Sequence, residues 1–595
     1  MRPKRSASRI SGPGKLFFAA YIPYSAGPLP GAARLGSPLH SAKDVTVSQV
    51  SILEKHRKQY QPKVPPSLRQ GIAKVKVLEG AAAEPAKDRE TIRKSFPNTY
   101  GTPLLSFQIG DASGEAKPLR IGVVLSGGQA PGGHNVIAGL FDSVKSVHAQ
   151  SQIFGFLGGP SGLEKGKYET ITQEKMDAYR NTGGFDIIGS GRTKLETPEQ
   201  FDRCIEVIKS LELNAVVIIG GDDSNTNAAI LAEYLKAKGL TTSVIGVPKT
   251  IDGDLKNPHI PVSFGFDTAV KTYSELIGNI ARDAGSAKKY WHFIKLMGRS
   301  ASHIALEAGL QTHANVTLVS EEVEKKNLSL EQIVDDIARV ISARADAGKN
   351  YGVVLIPEGL IEFIPSFKTL IGSLNDLLAK NEAAFAKLET ADAKIAAMSD
   401  WLEGALGATF ATLPKTIQLQ LLLDRDPHGN VQVSLIETDS LLAELVGRKL
   451  KGSPSFKGKF SSQRHFFGYE GRAAAPSNFD ADYCYSLGCV AAVLVRSGRT
   501  GYMASIRNVS KGVDQWAAGG IPISMMFNME QRHGHLKPVI QKALVELEGP
   551  AFKALVQSRA KWEIEDAFIY PGPIQYFGPS EVCDAITKTL ELEQG

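Results

Sequence analysis

The chain has 595 residues, 43% of them hydrophobic, which is enough for more than one core, and its four cysteines show neither a CxxC pair nor metal-ligand spacing. No apolar run approaches the roughly 20 residues that cross a bilayer, so the sequence predicts no membrane-spanning segment. The formal net charge of +6 does not indicate a nucleic-acid partner, because seven basic residues and no acidic ones lie within residues 1–43, and the rest of the chain is close to neutral.

The N-terminal part of the chain predicts two extensions ahead of the main fold. Residues 1–44 are rich in Arg, Ser, Gly and Pro, which suits a disordered tail and an organellar targeting peptide equally. Residues 45–116 are mixed in polarity and contain a possible helix around Asp88–Ser95. We expect this second extension to pack on the main body of the protein.

From Leu119 onwards, short apolar runs alternate with segments of helical periodicity. This alternation predicts a doubly wound α/β sheet, whose ligands bind beyond the carboxyl ends of its parallel strands. The predicted strands are Arg120–Leu125, Gln152–Leu157, Ala215–Ile219, Ser243–Val247, His292–Leu296, Val316–Val319 and Gly352–Ile356. The predicted helices between them are Asn225–Lys238, Asp267–Ala284 and Leu330–Ala347.

Two later regions depart from this alternation. Residues 361–460 are rich in Leu, Ala and Lys, as in Leu374–Ala405, and predict a helical insertion. The insertion serves packing or assembly, or it is a surface decoration. Residues 526–595 are expected to form a C-terminal helical region.

A glycine-rich loop, Ser126–Asn135, follows the first predicted strand of the main fold and precedes a helix. Glycines at such a place let the backbone approach a phosphate closely, and the positive end of the following helix adds to the attraction. A simple tight turn is the alternative, because the P-loop consensus is absent.

An acidic loop, Gly220–Ser224, follows the next buried strand and contains Asp222 and Asp223. A carboxylate at this place can hold Mg²⁺ that bridges phosphoryl oxygens, since Mg²⁺ prefers hard oxygen ligands. A helix N-cap is the alternative role for Asp223, in competition with Ser224.

A third loop, Pro248–Asp254, contains both a carboxylate and a cation near the end of a strand. Phosphoryl transfer to a sugar hydroxyl needs a carboxylate that accepts the proton and a cation that stabilises the transferring group. Asp252 and Lys249 supply these two groups. A turn with solvated aspartates remains an equal alternative for this segment taken alone.

Basic residues form a fourth group, which suits a phosphate monoester because arginine binds phosphate bidentately. Surface arginines are common, so each segment alone indicates little. The segments are Lys289-Tyr290, Met297-Gly298-Arg299 and Tyr469-Glu470-Gly471-Arg472.

The order of these motifs resembles a known family, the pyrophosphate-dependent phosphofructokinases in their long, plant-type form. The resemblance extends from about Leu119 to Arg472 and rests on the ordered motifs SGGQAPGGHN, GGDDS, PKTIDGD, KYW, MGRSASHIALE, PEG and GYEGR. It implies an enzyme, a diphosphate–fructose-6-phosphate 1-phosphotransferase, that reversibly transfers a phosphoryl group from pyrophosphate to the 1-hydroxyl of fructose 6-phosphate with Mg²⁺ as cofactor. It also implies a cytoplasmic location, with a plastid as the alternative that the basic N-terminus leaves open.

The resemblance also implies roles for individual residues. Gly127 would contact pyrophosphate, Asp222 would serve Mg²⁺, and Asp252 would be the proton acceptor, with Asp223 and Lys249 as further catalytic residues. The implied substrate-binding residues are Thr250, Ile251, Asp252, Lys289, Tyr290, Met297, Gly298, Arg299, Glu358, Tyr469, Glu470, Gly471 and Arg472.

The fold implied by the resemblance is α/β, with two doubly wound phosphofructokinase-type domains, a helical insertion and an N-terminal extension. The pyrophosphate- and Mg²⁺-binding domain would span residues 117–265, with the chain returning at about 480–525. The fructose 6-phosphate-binding domain would comprise residues 266–360 and 461–479. Lys289 and Tyr290 would reach a neighbouring subunit's site, which implies a homo-oligomer or a hetero-oligomer with a related regulatory subunit.

The expected donor follows from two positions. ATP-using members of the family have glycine where this chain has Asp223 and a small residue where it has Lys249. A carboxylate repels the α-phosphate of ATP, whereas the lysine supplies charge to a small inorganic leaving group. The alternatives are an ATP-dependent phosphofructokinase, a non-catalytic regulatory subunit, and a lipid or NAD kinase that shares a GGD-type loop.

Overall fold

The computed structural model describes residues 50–111, 117–423, 431–432, 435–532 and 535–595. The predicted N-terminal extension, residues 1–44, lies outside them. The strands are β1 Val75–Ala82, β2 Pro103–Ile109, β3 Arg120–Leu125, β4 Gln152–Phe156, β5 Tyr168–Thr170, β6 Ala215–Gly220, β7 Ser243–Pro248, β8 Tyr290–Leu296, β9 Val316–Thr317, β10 Tyr351–Pro357, β11 Ser462–Phe467, β12 Tyr502–Arg507, β13 Ala517–Pro522, β14 Phe527–Arg532 and β15 His535–Ile540.

Helices surround these strands, and none of them in the described ranges is both long and apolar enough to cross a bilayer. They are α1 Ile52–Arg57, α2 Arg89–Ser95, α3 Gly133–Val147, α4 Pro160–Glu164, α5 Gln173–Tyr179, α6 Pro198–Ser210, α7 Asp222–Ala237, α8 Phe266–Ala287, α9 His303–Thr312, α10 Ser320–Lys325, α11 Leu330–Asp346, α12 Leu360–Phe363, α13 Pro365–Lys380, α14 Glu382–Ala386, α15 Ala391–Trp401, α16 Gly404–Thr412, α17 Lys415–Leu423, α18 Thr438–Gly452, α19 Tyr469–Ala473, α20 Asn478–Arg496, α21 Pro550–Ile564, α22 Ser580–Cys583 and α23 Lys588–Gln594.

The larger sheet has the strand order β1-β2-β13-β12-β7-β6-β3-β4-β5. Its centre, from β12 to β4, is parallel, and β6 and β7 are buried along their whole length because helices cover both faces. The chain leaves β3 towards β4 on one side, whereas β6 lies on the other side and leads to β7. The loops after β3 and β6 therefore flank the point where the strand order reverses, which is where ligands bind in open α/β sheets.

The smaller sheet is parallel throughout, in the order β11-β8-β10-β9. Its strands bury apolar side chains against α11 and against the helices α12 to α18, which fill the region predicted as a helical insertion. The two sheets confirm the predicted α/β fold with parallel strands. Residues 51–595 form one compact unit, and the division into domains with separate ligands stays a prediction.

The strands predicted from apolar runs are all present, and their ends differ from the prediction by at most two residues. Periodicity missed β1 and β2, which extend the larger sheet by antiparallel pairing. The buried guanidinium of Arg57 attaches the N-terminal segment to the body by hydrogen bonds to Asn478 and to the carbonyl of Pro476, both 2.8 Å long.

The expectation of a helical C-terminal region is incomplete, because β14 and β15 form an antiparallel hairpin. Phe527, Val539 and Ile540, at the end of the hairpin where β14 begins and β15 ends, are buried and anchor it to the core. The helices α21 to α23 follow it. The four cysteines are buried and unpaired, as expected of small apolar side chains.

Candidate active site

Two loops at the carboxyl ends of β3 and β6 are joined by a direct hydrogen bond. The Ser224 hydroxyl, in the first turn of α7, donates to the Ser126 hydroxyl at 2.8 Å, and the Ser126 N–H donates to the carbonyl of Ile219. The glycine-rich loop and the acidic loop therefore form one edge of a common cleft.

The glycine-rich loop lies close to positively charged side chains, and not all of its N–H groups are open to the cleft. Gly127 has a φ of +86°, and a Cβ at this position would lie 3.4 Å from the Lys249 ammonium nitrogen. The Gly127 N–H is already bonded to the carbonyl of Gly191 at 2.9 Å. A Cβ on Gly128 would lie 3.6 Å from a guanidinium nitrogen of Arg472 and 3.7 Å from one of Arg192. The loop thus lies beneath three positive side chains.

The acidic loop places both of its aspartates in the first turn of α7. The N-cap is Gly221, so neither Asp223 nor Ser224 has the capping role that the sequence left open. Asp223 is half exposed and forms an ion pair of 3.3 Å with Lys194. Asp222 is less exposed and faces Lys542 at 3.6 Å. A helix N-terminus carries partial positive charge, which favours both carboxylates there.

The loop after β7 supplies a buried lysine and two aspartates. Lys249 is only 6% exposed, and burial lowers the pKa of its ammonium to about 8, although the nearby Asp252 and Asp222 act in the opposite direction. Burial and the neighbouring Asp252 raise the pKa of Asp254 to about 7. The Asp252 N–H donates to the Thr250 hydroxyl at 3.1 Å, which fixes the turn. Lys249, Asp222 and Asp252 are therefore electrostatic neighbours.

The opposite wall of the cleft comes from the ends of β8 and β10 in the smaller sheet. The carboxylate of Glu358, 2% exposed, accepts a 2.9 Å hydrogen bond from the Gly298 N–H. Burial raises the pKa of Glu358, and Asp252 adds to the shift while Arg299 opposes it. A Cβ on Gly359 would overlap the carbonyl oxygen of Arg299, so the two loops pack without intervening space. These contacts fix the backbone on either side of the exposed Arg299.

Helix α19 completes this wall. The Tyr273 hydroxyl donates to the carbonyl of Gly468 at 2.6 Å, and a side chain at Gly471 would overlap the Tyr273 ring. Arg472 lies over the ring of Tyr469, 4.8 Å from its centroid. Arg472 therefore connects this wall to the glycine-rich loop. The Glu470 carboxylate accepts from the Gly468 N–H at 3.0 Å, so it stabilises its own turn.

Four residues of the predicted site are placed differently from the others. Lys289 and Tyr290 lie at the start of β8, about 20 Å along the strand from its other end at Leu296, after which the chain continues to Arg299. They are not brought into this chain's cleft. The Ile251 side chain is 5% exposed and belongs to the core, and Met297 packs partly against the same core.

Two cationic residues at the cleft were missed from the sequence. Arg192 follows Gly191, which bridges to Ser126, and its pKa is lowered by burial and by the adjacent Arg299 and Arg472. Lys542 follows β15 and faces Asp222. Neither residue follows a predicted strand, so the position of β-strand ends could not indicate them. The sequence GSGRT around Arg192 contains two glycines, which is a local signal for a loop whose backbone can approach a ligand closely.

The side chains available as metal ligands in the cleft suit a hard cation only in part. Across the residues that the structure describes, no group of three or more His, Cys, Asp or Glu side chains is arranged to hold a metal ion. Asp222 and Asp254 provide carboxylate oxygens on either side of the Lys542 ammonium, at 3.6 and 3.7 Å. Mg²⁺ at such a place would take most of its ligands from phosphates and water, as is usual for this ion.

The chain matches the family model described as phosphofructokinase over residues 120–495. It is 56% identical over 547 residues to a pyrophosphate–fructose 6-phosphate 1-phosphotransferase of Porphyromonas gingivalis, which covers 91% of this chain and 99% of the relative. It is 53% identical to the protein of that name from Treponema pallidum, over 92% of this chain and 97% of the relative. It is 50% identical to the beta 2 subunit of that name from Arabidopsis thaliana, over 87% of this chain and 90% of the relative.

Proposed function

Because this chain belongs to the phosphofructokinase family, we propose that it catalyses reversible phosphoryl transfer between inorganic pyrophosphate and the 1-hydroxyl of fructose 6-phosphate. The relatives that cover most of the chain carry the name of this activity. The observation that carries the proposal is the convergence of Asp222, Lys249 and Asp252 on one side of a cleft whose other side holds Arg299 and Arg472.

The proposed chemistry takes place on the side of the cleft formed by the loops after β6 and β7. Asp252 accepts the proton of the attacking hydroxyl, and the ammonium of Lys249 stabilises charge on the transferring phosphoryl group. Asp222 would hold Mg²⁺, with Asp254 close by. When bound, Mg²⁺ supplies charge neutralisation on the phosphoryl oxygens. Burial of Lys249 strengthens its electrostatic effect, since the local dielectric is lower than that of water.

The sugar phosphate is proposed to bind at the wall formed by the ends of β8, β10 and α19. Arg299 and Arg472 carry planar guanidinium groups, whose fork of N–H donors suits the oxygens of a phosphate monoester. The Glu358–Gly298 hydrogen bond holds the loop that carries Arg299. Such a position would direct the 1-hydroxyl towards Asp252 on the donor side, whose charge also acts on Glu358 of the opposite wall.

Pyrophosphate is the proposed donor. Asp223 adds a half-exposed carboxylate to the donor side, where it is paired with Lys194. The α-phosphate and the base of a nucleotide would have to extend past this carboxylate, whereas pyrophosphate is short enough to stop before it. Lys249 gives a fixed cation for the departing phosphate.

The assembly of the protein is a further part of the proposal. Lys289 and Tyr290 lie outside this chain's cleft and are exposed or half-buried, so they are available to a neighbouring subunit's site. We therefore propose that the enzyme is an oligomer with sites shared between subunits. One relative is named as a beta subunit, which agrees with assembly.

The test of the proposed function is the identity of the products. Purified chain is incubated with fructose 6-phosphate, pyrophosphate and Mg²⁺ and followed by phosphorus NMR. The proposal predicts that orthophosphate and a C1 phosphomonoester appear in equal amounts, and that fructose 1,6-bisphosphate with orthophosphate yields pyrophosphate. Release of orthophosphate without a new sugar phosphate would identify a pyrophosphatase instead.

A further inference from the structure

The ammonium of Lys542 lies where the two walls of the cleft meet. It faces Asp222 at 3.6 Å and Asp254 at 3.7 Å on the donor side, and it donates a 2.6 Å hydrogen bond to the Ser300 hydroxyl on the sugar side. Ser300 directly follows Arg299. One side chain therefore connects the donor-side aspartates to the loop proposed to bind the sugar phosphate.

The backbone around Lys542 is held firmly against the donor side. The Ala543 N–H donates to the carbonyl of Asp254 at 2.7 Å, and the Ala543 carbonyl lies 2.9 Å from the His303 ring nitrogen. On the other side of Lys542, the Gln541 N–H donates to the carbonyl of Met526. The residues on both sides of Lys542 are thus held by hydrogen bonds of their backbones. Only the flexible lysine side chain is free to adjust to a ligand.

The contacts of Lys542 leave hydrogen-bonding capacity at the cleft. An ammonium has three N–H donors, and charge-assisted hydrogen bonds to carboxylates are about 2.7–2.9 Å long. The distances to Asp222 and Asp254 are longer than this, and in the described part of the chain only Ser300 takes a direct hydrogen bond from the ammonium. The Lys542 side chain is 35% exposed, so a ligand can reach it.

The charge balance of the donor side requires a cation at this place. A pyrophosphate entering between Asp222, Asp252 and Asp254 meets three carboxyl groups, and the ammonium of Lys249, from the loop after β7, lies next to Gly127. Like charges at such separations repel strongly where water is partly excluded. Lys542 supplies positive charge beside Asp222 and Asp254, where Lys249 is not in direct contact.

We infer that Lys542 is a further donor-binding residue, whose ammonium contacts the phosphoryl oxygens of inorganic pyrophosphate while its bond to Ser300 joins the donor side to the sugar side. This inference rests on the proposed function for the identity of the donor. It assigns to the C-terminal segment after β15 a part of the active site that the ends of the parallel strands do not provide.

The test compares Lys542→Met and Lys542→Arg with a matched control, Lys537→Met. Lys537 lies on the adjacent β15, is half exposed and pairs with Glu196. Binding of imidodiphosphate, which resists phosphoryl transfer, is measured by calorimetry with Mg²⁺ present, and binding of fructose 6-phosphate is measured separately. We expect Lys542→Met to weaken imidodiphosphate binding at least tenfold and fructose 6-phosphate binding less than threefold. Lys542→Arg should recover part of the loss, and Lys537→Met should bind as the wild type does.

Imidodiphosphate binding by Lys542→Met within threefold of the wild type would overturn the inference and leave Lys542 as an ion-pairing residue. Equal losses for both ligands would also overturn it, since they indicate a displaced Ser300 loop. If Lys542→Met does not fold, Lys542→Gln takes its place, with thermal unfolding as the check. Failure of the proposed function is seen separately, as wild-type chain that does not phosphorylate fructose 6-phosphate from pyrophosphate, whereas the binding comparison still decides the role of Lys542.

Discussion

Gly127 and Lys249 lie so close that a Cβ on the glycine would be 3.4 Å from the lysine ammonium nitrogen. Gly127 also has a φ of +86°, which residues with a side chain rarely adopt. The glycine therefore keeps the face of the lysine open towards the cleft. A methyl group in this place would occupy the space through which a phosphate approaches the ammonium.

The substitution Gly127→Ala is expected to raise KM for pyrophosphate at least tenfold, with a smaller effect on KM for fructose 6-phosphate. The reason is obstruction of Lys249 together with backbone strain at the loop. Initial rates at varied pyrophosphate measure the effect. Gly372→Ala is the control, because a Cβ there meets no atom within 4 Å and Gly372 lies within α13. A KM for pyrophosphate equal to that of the wild type would show that Gly127 does not border the donor.

Asp252→Asn is expected to lower kcat by about 10²–10⁴-fold, because the amide cannot accept the proton of the sugar hydroxyl. Both KM values should change much less, since the group acts in the transition state. Steady-state kinetics measure the effect on kcat separately from the effects on the two KM values, with Asp514→Asn, at an exposed residue, as control. A kcat within about tenfold of the wild type, or roughly 1.4 kcal/mol, would remove Asp252 from the role of proton acceptor.

The pH profile should report the ammonium of Lys249, whose pKa burial lowers to about 8. The charged form is present below this pKa and is lost as the pH rises through it, so kcat/KM for pyrophosphate should fall on the alkaline side of about pH 8. A rate profile from about pH 6 to 10 measures this limb. In Lys249→Arg the alkaline fall in kcat/KM should move above the measured pH range, because the guanidinium stays charged. A wild-type profile without a fall up to about pH 10 would contradict the role of Lys249.

Glu358→Ala is expected to raise KM for fructose 6-phosphate about tenfold, equivalent to about 1.4 kcal/mol. The substitution leaves the Gly298 N–H without its buried acceptor and releases the loop that carries Arg299. Glu358→Gln keeps an acceptor oxygen and should lie between the wild type and Glu358→Ala. The exposed Glu548→Ala serves as control. A KM for pyrophosphate that rises more than the KM for fructose 6-phosphate would place Glu358 on the donor side.

The sequence predicted the parts of the fold that depend on local patterns. Strands such as β3 and β7 are apolar throughout because both faces are covered, and their ends fix the loops of Gly127, Asp222 and Lys249. The strands β1, β2 and β13 were missed, because their antiparallel pairing towards one end of the sheet depends on distant partners, and β12, which pairs in parallel with β7, was missed as well.

The site was predicted where it follows strand ends and missed where tertiary packing brings in a distant segment. Lys542 reaches Asp222 from the C-terminal region through the hairpin of β14 and β15, and no motif near Lys542 indicates that path. Arg192 reaches the glycine-rich loop through pairing of Gly191 with Ser126. The cytoplasmic or plastid location stays a prediction, as do the roles of Lys289 and Tyr290 between subunits.

The most direct test of the central claim is the ratio of kcat/KM for pyrophosphate to kcat/KM for ATP, measured on the purified chain with saturating fructose 6-phosphate and Mg²⁺. The account predicts a ratio of at least about 10³, which corresponds to roughly 4 kcal/mol of discrimination in the transition state. A ratio near or below one would contradict it and identify an ATP-dependent phosphofructokinase.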